Sequence, residues 1–248
     1  MISKAINLLA LIGKAKCPMT FSDLVKQSEL SKSTVHRILK NLMDEQMVQH
    51  HKPMKVYLLG PKAFEILKQA YGGYDLQALA VDGMMGLQKE TGRNVSISVV
   101  EGDYSVVLRA FDSSDSFGGH SRPGLREPLH VCAAGKALVA YLPPALFDAK
   151  FEKYDFFSRT SYTISSLDDF RADLSIVRER GYATSDKEEY DYICGVAAPI
   201  FNYVGEVIAS INIWGTTEET SLEALKRHTD KLITVTQNVT DLIGGASD

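Results

Sequence analysis

The most constraining feature of the sequence is a segment between residues 31 and 42 whose apolar residues recur with the period of an α-helix. These residues predict one buried helix face, and they are Val35, Ile38, Leu39 and Leu42. Ser31 stands before them as a candidate N-cap. The opposite face has no acidic residue and carries Lys32, Ser33, Thr34, His36, Arg37, Lys40 and Asn41. Such a face lacks the mixed charges of an ordinary solvated helix, and it suits phosphates and base edges.

Two predicted helices precede this segment and a predicted hairpin follows it. The apolar spacing of residues 2–14 predicts the first helix, and Thr20, with Asp23 three residues later, is placed to cap the second. Residues 47–51 and 55–59 predict two strands joined by a turn at Pro53. The order of helix, helix, turn, helix and hairpin is that of a winged helix-turn-helix, whose second motif helix enters the major groove.

We therefore predict that the polar residues of this helix and of the hairpin turn contact DNA. Phosphate contacts are expected from the first helical turn, Lys40 and the hairpin, and base contacts from His36, Arg37 and Asn41. A winged helix that binds protein instead of DNA is the alternative. The predicted DNA-binding residues are Lys32, Ser33, Thr34, His36, Arg37, Lys40, Asn41, Lys52 and Lys55.

The charge distribution is uneven along the chain. The 248 residues have a net charge of −4, but residues 1–60 contain nine Lys or Arg against four Asp or Glu. Residues 61–248 contain 18 basic against 27 acidic residues. One interpretation is a basic N-terminal part that meets phosphates and an acidic remainder with another role; chance variation between two surfaces is the other.

Composition and cysteine spacing limit the class of protein. Hydrophobic residues make up 45% and charged residues 23%, as in ordinary folded proteins, and the length suits two domains. No apolar run has the length of a membrane span, and the N-terminus lacks the features of a secretory signal. Cys17, Cys132 and Cys194 are odd in number and far apart, so we expect no disulfide framework and a cytoplasmic location.

The remaining sequence predicts a connecting helix and a mixed second domain. Pro61 begins a helical segment, and Gly72-Gly73 interrupts it as a candidate hinge before it resumes and ends near Gly92. These apolar helical segments suit either a core or a dimer contact. Beyond them, strands alternate with helices and pair as hairpins, which indicates an α+β domain with an antiparallel sheet. The predicted elements are strands at 94–100, 104–110, 196–200 and 206–214, a loop at 112–119, and helices at 133–140, 167–180 and 221–243.

Four stretches resemble the IclR (isocitrate lyase regulator-like) family of bacterial transcription factors. They stand in family order at family-like spacing, and they lie at residues 30–39, 128–138, 181–189 and 196–207. The resemblance implies an N-terminal winged helix-turn-helix at 1–60, a connecting and dimerisation segment at 61–92, and a GAF-like effector-binding domain at 93–248. It also implies dimers that associate into tetramers.

The resemblance further implies an effector pocket against the sheet. Its positions carry over to Ala133, Ala134, Gly135, Ser185, Asp186, Gly195, Asn212 and Trp214. The first N–H groups of the helix at 133 offer an anion site, and we expect residues 185 and 186 to form a turn. Asn212 and Trp214 lie two apart and share one sheet face, although Trp214 as plain core is the alternative.

This chain departs from the family pattern at the pocket. Relatives often have a cysteine where Gly195 stands, and here Cys194 precedes it by one place. Relatives also often have small hydroxyl residues at the positions of Asn212 and Trp214, and the indole would shrink the pocket or add an aromatic wall. The effector of a known relative is therefore not transferred. Our hypothesis is a small carboxylate, such as a keto acid or an aromatic acid from catabolism.

Several enzyme-like patterns were weighed against this interpretation. His130, Cys132 and Lys136 are close in sequence, but no third residue that would orient a nucleophile is identifiable. Gly135-Lys136 lacks the first glycine and the Ser or Thr of a phosphate-binding loop. His50-His51 has no partner at metal-ligand spacing, and the acidic cluster at 186–191 is interpreted as a polar turn at the pocket rim instead of paired catalytic carboxylates.

We therefore predict a ligand-responsive transcriptional regulator without catalytic residues, cofactor or metal. Its expected partners are a near-palindromic double-stranded DNA operator, a small-molecule effector and a second copy of the chain, with no membrane. A metabolite-dependent enzyme that retains a DNA-binding head and a protein-interaction adaptor are the competing classes.

Overall fold

The computed structural model describes residues 2–15, 17–63, 65–66, 76–113 and 122–245. The chain divides into two compact units, residues 1–74 and 75–248. In the described ranges no helix is long and apolar enough to cross a membrane.

In the part that the structure describes, the first unit contains a small antiparallel sheet and three helices around it, and residues 61–63 and 65–66 are helical as well. The helices are α1 (Ile2–Lys14), α2 (Phe21–Ser28) and α3 (Lys32–Asp44). The strands are β1 (Met19–Thr20), β2 (Val48–His51) and β3 (Val56–Leu59), in the order β1-β3-β2. All three helices contribute to one core, to which α3 gives the predicted stripe of Val35, Ile38, Leu39 and Leu42. The two-residue strand β1 was not predicted.

The predicted caps fix where the helices of the first unit begin. The Thr20 side chain accepts a hydrogen bond from the Asp23 N–H at 3.3 Å, and the Asp23 carboxylate accepts one from the Thr20 N–H at 2.9 Å. This reciprocal capping box satisfies two N–H groups that have no partner within the helix. Ser31 caps α3 without the reciprocal bond, its side chain accepting from the Thr34 N–H at 3.3 Å.

The second unit contains a six-stranded antiparallel sheet and six helices in the part that the structure describes. The helices are α4 (Leu76–Thr91), α5 (Ala133–Val139), α6 (Pro144–Phe151), α7 (Leu167–Arg180), α8 (Leu222–Lys226) and α9 (Thr229–Leu242). The strands, in spatial order, are β6 (Arg126–Pro128), β5 (Tyr104–Phe111), β4 (Asn94–Glu101), β9 (Val207–Thr216), β8 (Ile193–Phe201) and β7 (Ala183–Asp186). The predicted α+β class is confirmed.

Alternation along the central strands separates two faces of this sheet. On one face, residues such as Val95, Ile97 and Ile213 pack into a core with apolar residues of α4 and α9. The residues between them point to the other face. There, the strand register places Ser96 opposite Asn212. The second face is therefore polar as well as buried.

Two expectations about the second unit need correction, and one helix was not predicted. The helix predicted at 221–243 is two helices, α8 and α9, because the backbone leaves the helical conformation at His228. Ser185 and Asp186 lie in strand β7 instead of a turn, paired with β8. The chain also continues after Pro143 into α6, for which the second proline stands at the first helical position.

Some expectations cannot be compared with the structure. The candidate hinge Gly72-Gly73 and residues 114–119 of the predicted loop lie outside the described residues. The division at 60/61 and 92/93 also stays a prediction. Helix α4, which falls in the predicted connecting segment, belongs to the second unit and packs on its sheet.

Candidate nucleic-acid interface and effector cavity

The polar face of α3 is exposed. Thr34 is half-buried, and its hydroxyl lies 2.8 Å from the Ser31 hydroxyl. The other six predicted contact residues of α3 are exposed: Lys32, Ser33, His36, Arg37, Lys40 and Asn41. Because these side chains lie on one helix face, they could follow a groove and its flanking phosphates together.

The hairpin turn adds two exposed cations, Lys52 and Lys55. The Lys55 N–H donates to the Lys52 carbonyl at 3.3 Å, and Lys55 itself has a left-handed backbone with a φ of 54°. Among the described residues, neither these lysines nor the cations of α3 form an ion pair with a carboxylate. Their charge is therefore available to an anionic partner.

A small cavity of about 40 Å³ lies in the second unit, on the polar face of the sheet. Its walls come from strands β4–β9, from the start of α5 and from the segments beside β6 and β7. The lining residues are Ser96, Ser98, Ser105, Val107, Leu125, Glu127, Cys132, Ala133, Ala134, Ser185, Glu189, Ile193, Gly195, Asn212 and Trp214.

The structure brings six of the eight predicted effector residues to this cavity, namely Ala133, Ala134, Ser185, Gly195, Asn212 and Trp214. Gly135 and Asp186 are not among the lining residues. The Gly135 N–H donates to the Cys132 sulfur at 3.3 Å, so this N–H is not open to a ligand anion. Asp186 is exposed, because it alternates along β7 with the buried Ser185.

Three buried serines line the cavity and were not predicted as site residues. Ser96, Ser98 and Ser105 are 1%, 1% and 3% exposed. The Ser98 hydroxyl has no hydrogen-bond partner among the described residues, and neither does the side-chain oxygen of Asn212. Buried polar atoms are nearly always hydrogen-bonded, so two such atoms at one cavity indicate an absent partner. The alternation of serine with isoleucine and valine in β4 was the sequence signal.

Two carboxyl groups also line the cavity. Glu127 is 7% exposed and forms an ion pair with Arg159, whose guanidinium lies 5.5 Å from the centre of the Tyr190 ring. Glu189 is half-buried. Desolvation of its carboxyl, and to a smaller extent the Glu127 carboxylate, together raise the pKa of Glu189 to about 8, and Arg159 opposes this rise. Near neutral pH, Glu189 therefore favours its uncharged form.

A buried ion cluster lies behind the cavity. Lys136 on α5 is fully buried, and its ammonium nitrogen lies 2.6 Å from Glu188 and 3.3 Å from Asp173 on α7. The same nitrogen donates to the carbonyl of Thr184 at 3.2 Å. Burial raises the pKa of Glu188, and the neighbouring Lys136 lowers it. The cluster joins α5, α7 and the segment after β7, next to the lining residues Ser185 and Glu189.

The side chains considered for nucleophilic catalysis are engaged separately. The imidazole of His130 lies between the Tyr154 hydroxyl at 2.9 Å and the Phe157 carbonyl at 3.0 Å. Burial raises the pKa of the Cys132 thiol, which keeps this sulfur protonated. Lys136 is held in its ion cluster. In the described residues, no group of three His, Cys, Asp or Glu is placed to hold a metal ion.

Family models match both parts of the chain. The family model "IclR helix-turn-helix domain" matches residues 1–52, and "Bacterial transcriptional regulator IclR C-terminal" matches residues 68–241. The chain belongs to the IclR family. It is therefore a helix-turn-helix transcriptional regulator, as the resemblance predicted, and its second unit is the IclR C-terminal domain.

Curated relatives and solved structures agree with this assignment. The chain is 28% identical over 212 residues to the HTH-type transcriptional regulator XynR of Escherichia coli, covering 86% of this chain and 84% of that relative. It is 27% identical over 243 residues to KdgR of Dickeya chrysanthemi, covering 98% and 79%. A putative IclR regulator from Silicibacter has a TM-score of 0.77 at 23% identity, covering 100% of this chain and 97% of that one. At this identity, the structural likeness supports the fold alone.

Proposed function

We propose that this IclR-family regulator responds to a small catabolic metabolite that binds in the cavity of its second unit. The observation that carries the proposal is the polar, buried lining of this cavity, in which the Ser98 hydroxyl and the Asn212 side-chain oxygen lack partners. A core without a ligand would normally satisfy such atoms or replace them with apolar groups. The small volume favours a ligand of few atoms.

The carboxylate hypothesis remains part of this proposal. The N–H groups of Ala133 and Ala134 stand in the first turn of α5, where no preceding helical carbonyl accepts from them, and both residues line the cavity. A small catabolic acid could accept hydrogen bonds from these groups and from the serine hydroxyls. The six lining residues carried over from the family pattern, together with these serines, are the proposed effector contacts.

The first unit is proposed to bind its operator through α3 and the hairpin turn. Arg37, His36 and Asn41 would contact base edges, while Lys32, Ser33, Thr34 and Lys40 would contact phosphates together with Lys52 and Lys55. We propose that the chain acts as a dimer or a tetramer on a near-palindromic site, because paired recognition helices need two half-sites. Effector binding is proposed to change operator affinity.

Fluorescence anisotropy on DNA from upstream of the chain's own gene, compared with random DNA, tests the operator part. We expect site-preferring binding that weakens as salt rises, because cations displace the counterions of phosphates. Equal affinity for both DNAs, at every salt concentration and with every bound ligand, would contradict it.

Thermal shift with a panel of small organic acids and related metabolites tests the effector part. A ligand that binds the folded state raises the melting temperature with increasing concentration. We expect at least one member to do so, and we expect Gly195→Val, which places bulk in the cavity wall beside Trp214, to abolish the shift. A shift that persists in this variant would place the ligand elsewhere.

A further inference from the structure

We infer that Glu127 and Glu189 bind hydroxyl groups of the effector, and that this carboxyl wall selects hydroxylated metabolites over their deoxy analogues. The inference rests on the proposed role of the cavity as the effector site, and it adds the chemistry that the ligand must present.

The charge of the lining excludes a plain anion as a good match. Two of the lining residues are carboxylic acids, and none of the fifteen is Lys, Arg or His. Arg159, which contacts this wall, is already paired with Glu127. An acid without other polar groups would bring a further negative charge beside Glu127 and gain no free cation, which is unfavourable in a desolvated site. A carboxylate on the effector therefore needs further groups that interact favourably with this wall.

The carboxyl of Glu189 has hydrogen-bonding capacity that the protein does not use. Within the part of the chain that the structure describes, it makes no hydrogen bond; its interactions are the charges of Glu127 and Arg159. Because burial favours the uncharged form, this group can donate one hydrogen bond and accept others. A ligand hydroxyl, which is both donor and acceptor, satisfies both needs without introducing a charge.

Ser98 and Asn212 supply the independent observation. The Ser98 side chain is 1% exposed, lines the cavity and has an unpartnered hydroxyl. The unpartnered atom of Asn212 is its side-chain oxygen, which can only accept. Both lie on the cavity face of neighbouring strands, β4 and β9. The acceptor at Asn212 and the carboxyl of Glu189 can both accept hydrogen bonds from donors on the ligand, and hydroxyl groups provide such donors.

Matched small molecules test the inference on the full-length protein. Glycerate and propionate have the same carbon chain and the same carboxylate, and differ only in two hydroxyls; glycerol keeps the hydroxyls and lacks the acid. We expect glycerate to bind at least about tenfold more tightly than propionate in calorimetry, as for a site that pairs with hydroxyls. We also expect glycerol to raise the melting temperature more than propylamine does.

Variants of Glu189 test whether the preference for hydroxylated ligands depends on this carboxyl group. Glu189→Gln keeps a donor and an acceptor of the same shape, so it should retain the preference. Glu189→Leu removes both and should reduce the preference for glycerate over propionate to less than about threefold. The matched control is Glu223→Gln, whose side chain on α8 is 77% exposed and lies outside the cavity lining. It should behave like the wild type.

The inference is overturned if propionate binds as tightly as glycerate, or if Glu189→Leu keeps the full preference for glycerate over propionate. It is also overturned if propylamine binds better than glycerol, or if no hydroxylated compound in the panel binds. Its failure is distinguishable from failure of the proposed function. Binding of acids without hydroxyl preference, abolished by Gly195→Val, would leave the cavity as the effector site. If the cavity binds hydroxylated ligands selectively but no bound ligand changes DNA affinity, the inference stands and the proposed response of DNA binding to a ligand is wrong.

Discussion

The polar face of α3 and the polar face of the six-stranded sheet are each indicated by a regular spacing of residues, helical in one and alternating in the other, and they have opposite surroundings. Among the predicted contact residues of α3, which lie between residues 32 and 41, all but the half-buried Thr34 are exposed, several are cations and none is a carboxylate. On the sheet they are buried, and the cavity that they line contains two carboxyl groups and no cation. The comparison shows that the spacing of residues identifies a face, while burial and charge decide its partner. The exposed face of α3 suits a polyanion in water, and the buried face of the sheet suits a small hydroxylated ligand away from water.

The largest expected effect is on the buried side of this comparison. Lys136→Met removes the ammonium that compensates Glu188 and Asp173, whose side chains are only 12% and 23% exposed. Breaking a buried ion pair from one side costs about 3–5 kcal/mol, and we expect the lower end because Asp173 is partly solvated. Chemical denaturation followed by a probe in each unit should show the second unit destabilised and the first unchanged. An equal loss in Lys231→Met, an exposed lysine paired with Glu90, would contradict this explanation.

The next largest effect is expected for the exposed face of α3. Arg37→Ala should weaken operator binding by about 1–3 kcal/mol, as expected for one base contact, while leaving the melting temperature nearly unchanged because the side chain is exposed. The matched control is Lys26→Ala, an exposed cation on α2 in the same unit. Anisotropy on operator and random DNA measures both. Equal losses of operator affinity in the two variants would show that Arg37 contributes only its positive charge and makes no base contact.

The third effect is modest for each pH unit and distinguishes the two regions by how their stability depends on pH. The pKa of Glu189 is raised from its ordinary value of 4.5 to about 8, so the folded state holds a proton that the unfolded state releases between these values. Wild-type stability should therefore fall, relative to Glu189→Gln, as pH rises through this window, by at most about 1.4 kcal/mol per unit. Denaturation at a series of pH values measures the difference. A constant difference would show that Glu189 is ionised throughout.

The smallest effect tests how much the predicted helix cap at Ser31 contributes to the stability of the first unit. Ser31→Ala removes the cap of α3 and should cost about 1 kcal/mol of stability in the first unit, measured by thermal unfolding. Ser166→Ala provides the parallel test in the second unit, because Ser166 caps α7 in the same way. Loss of DNA affinity without loss of stability in Ser31→Ala would indicate a direct contact instead of a cap.

Sequence signals identified what depends on neighbours along the chain. The caps at Thr20 and Ser31, the buried stripe of α3 and the end of α7 before Gly181 were all predicted from such local patterns. The break at His228 was missed because the apolar spacing of α8 and α9 continues across it. The short strand β6 was missed because three residues carry too little periodicity to indicate a strand.

The carboxyl wall could not be predicted, because its members come from distant parts of the chain. Glu127 lies in β6, Glu189 lies in the segment after β7, and Arg159 lies between α6 and α7. The acidic residues at 186–191 were interpreted as a polar rim, and the structure divides them: Glu189 lines the cavity, Glu188 pairs with Lys136, and Asp186 is exposed. Only the tertiary fold assigns such neighbours to different environments.

The most direct test of the central claim is whether filling the cavity of the second unit removes the ligand response of DNA binding by the first. Operator affinity would be measured by anisotropy with and without a cavity ligand found by thermal shift, for the wild type, Gly195→Val and the control Gly86→Ala. Gly86 is exposed, and an added Cβ there meets no atom within 4 Å. We predict that the ligand changes wild-type and control affinity by at least about fivefold and leaves Gly195→Val unchanged. A response of equal size in Gly195→Val, or the same wild-type affinity with and without bound ligand, would contradict the account.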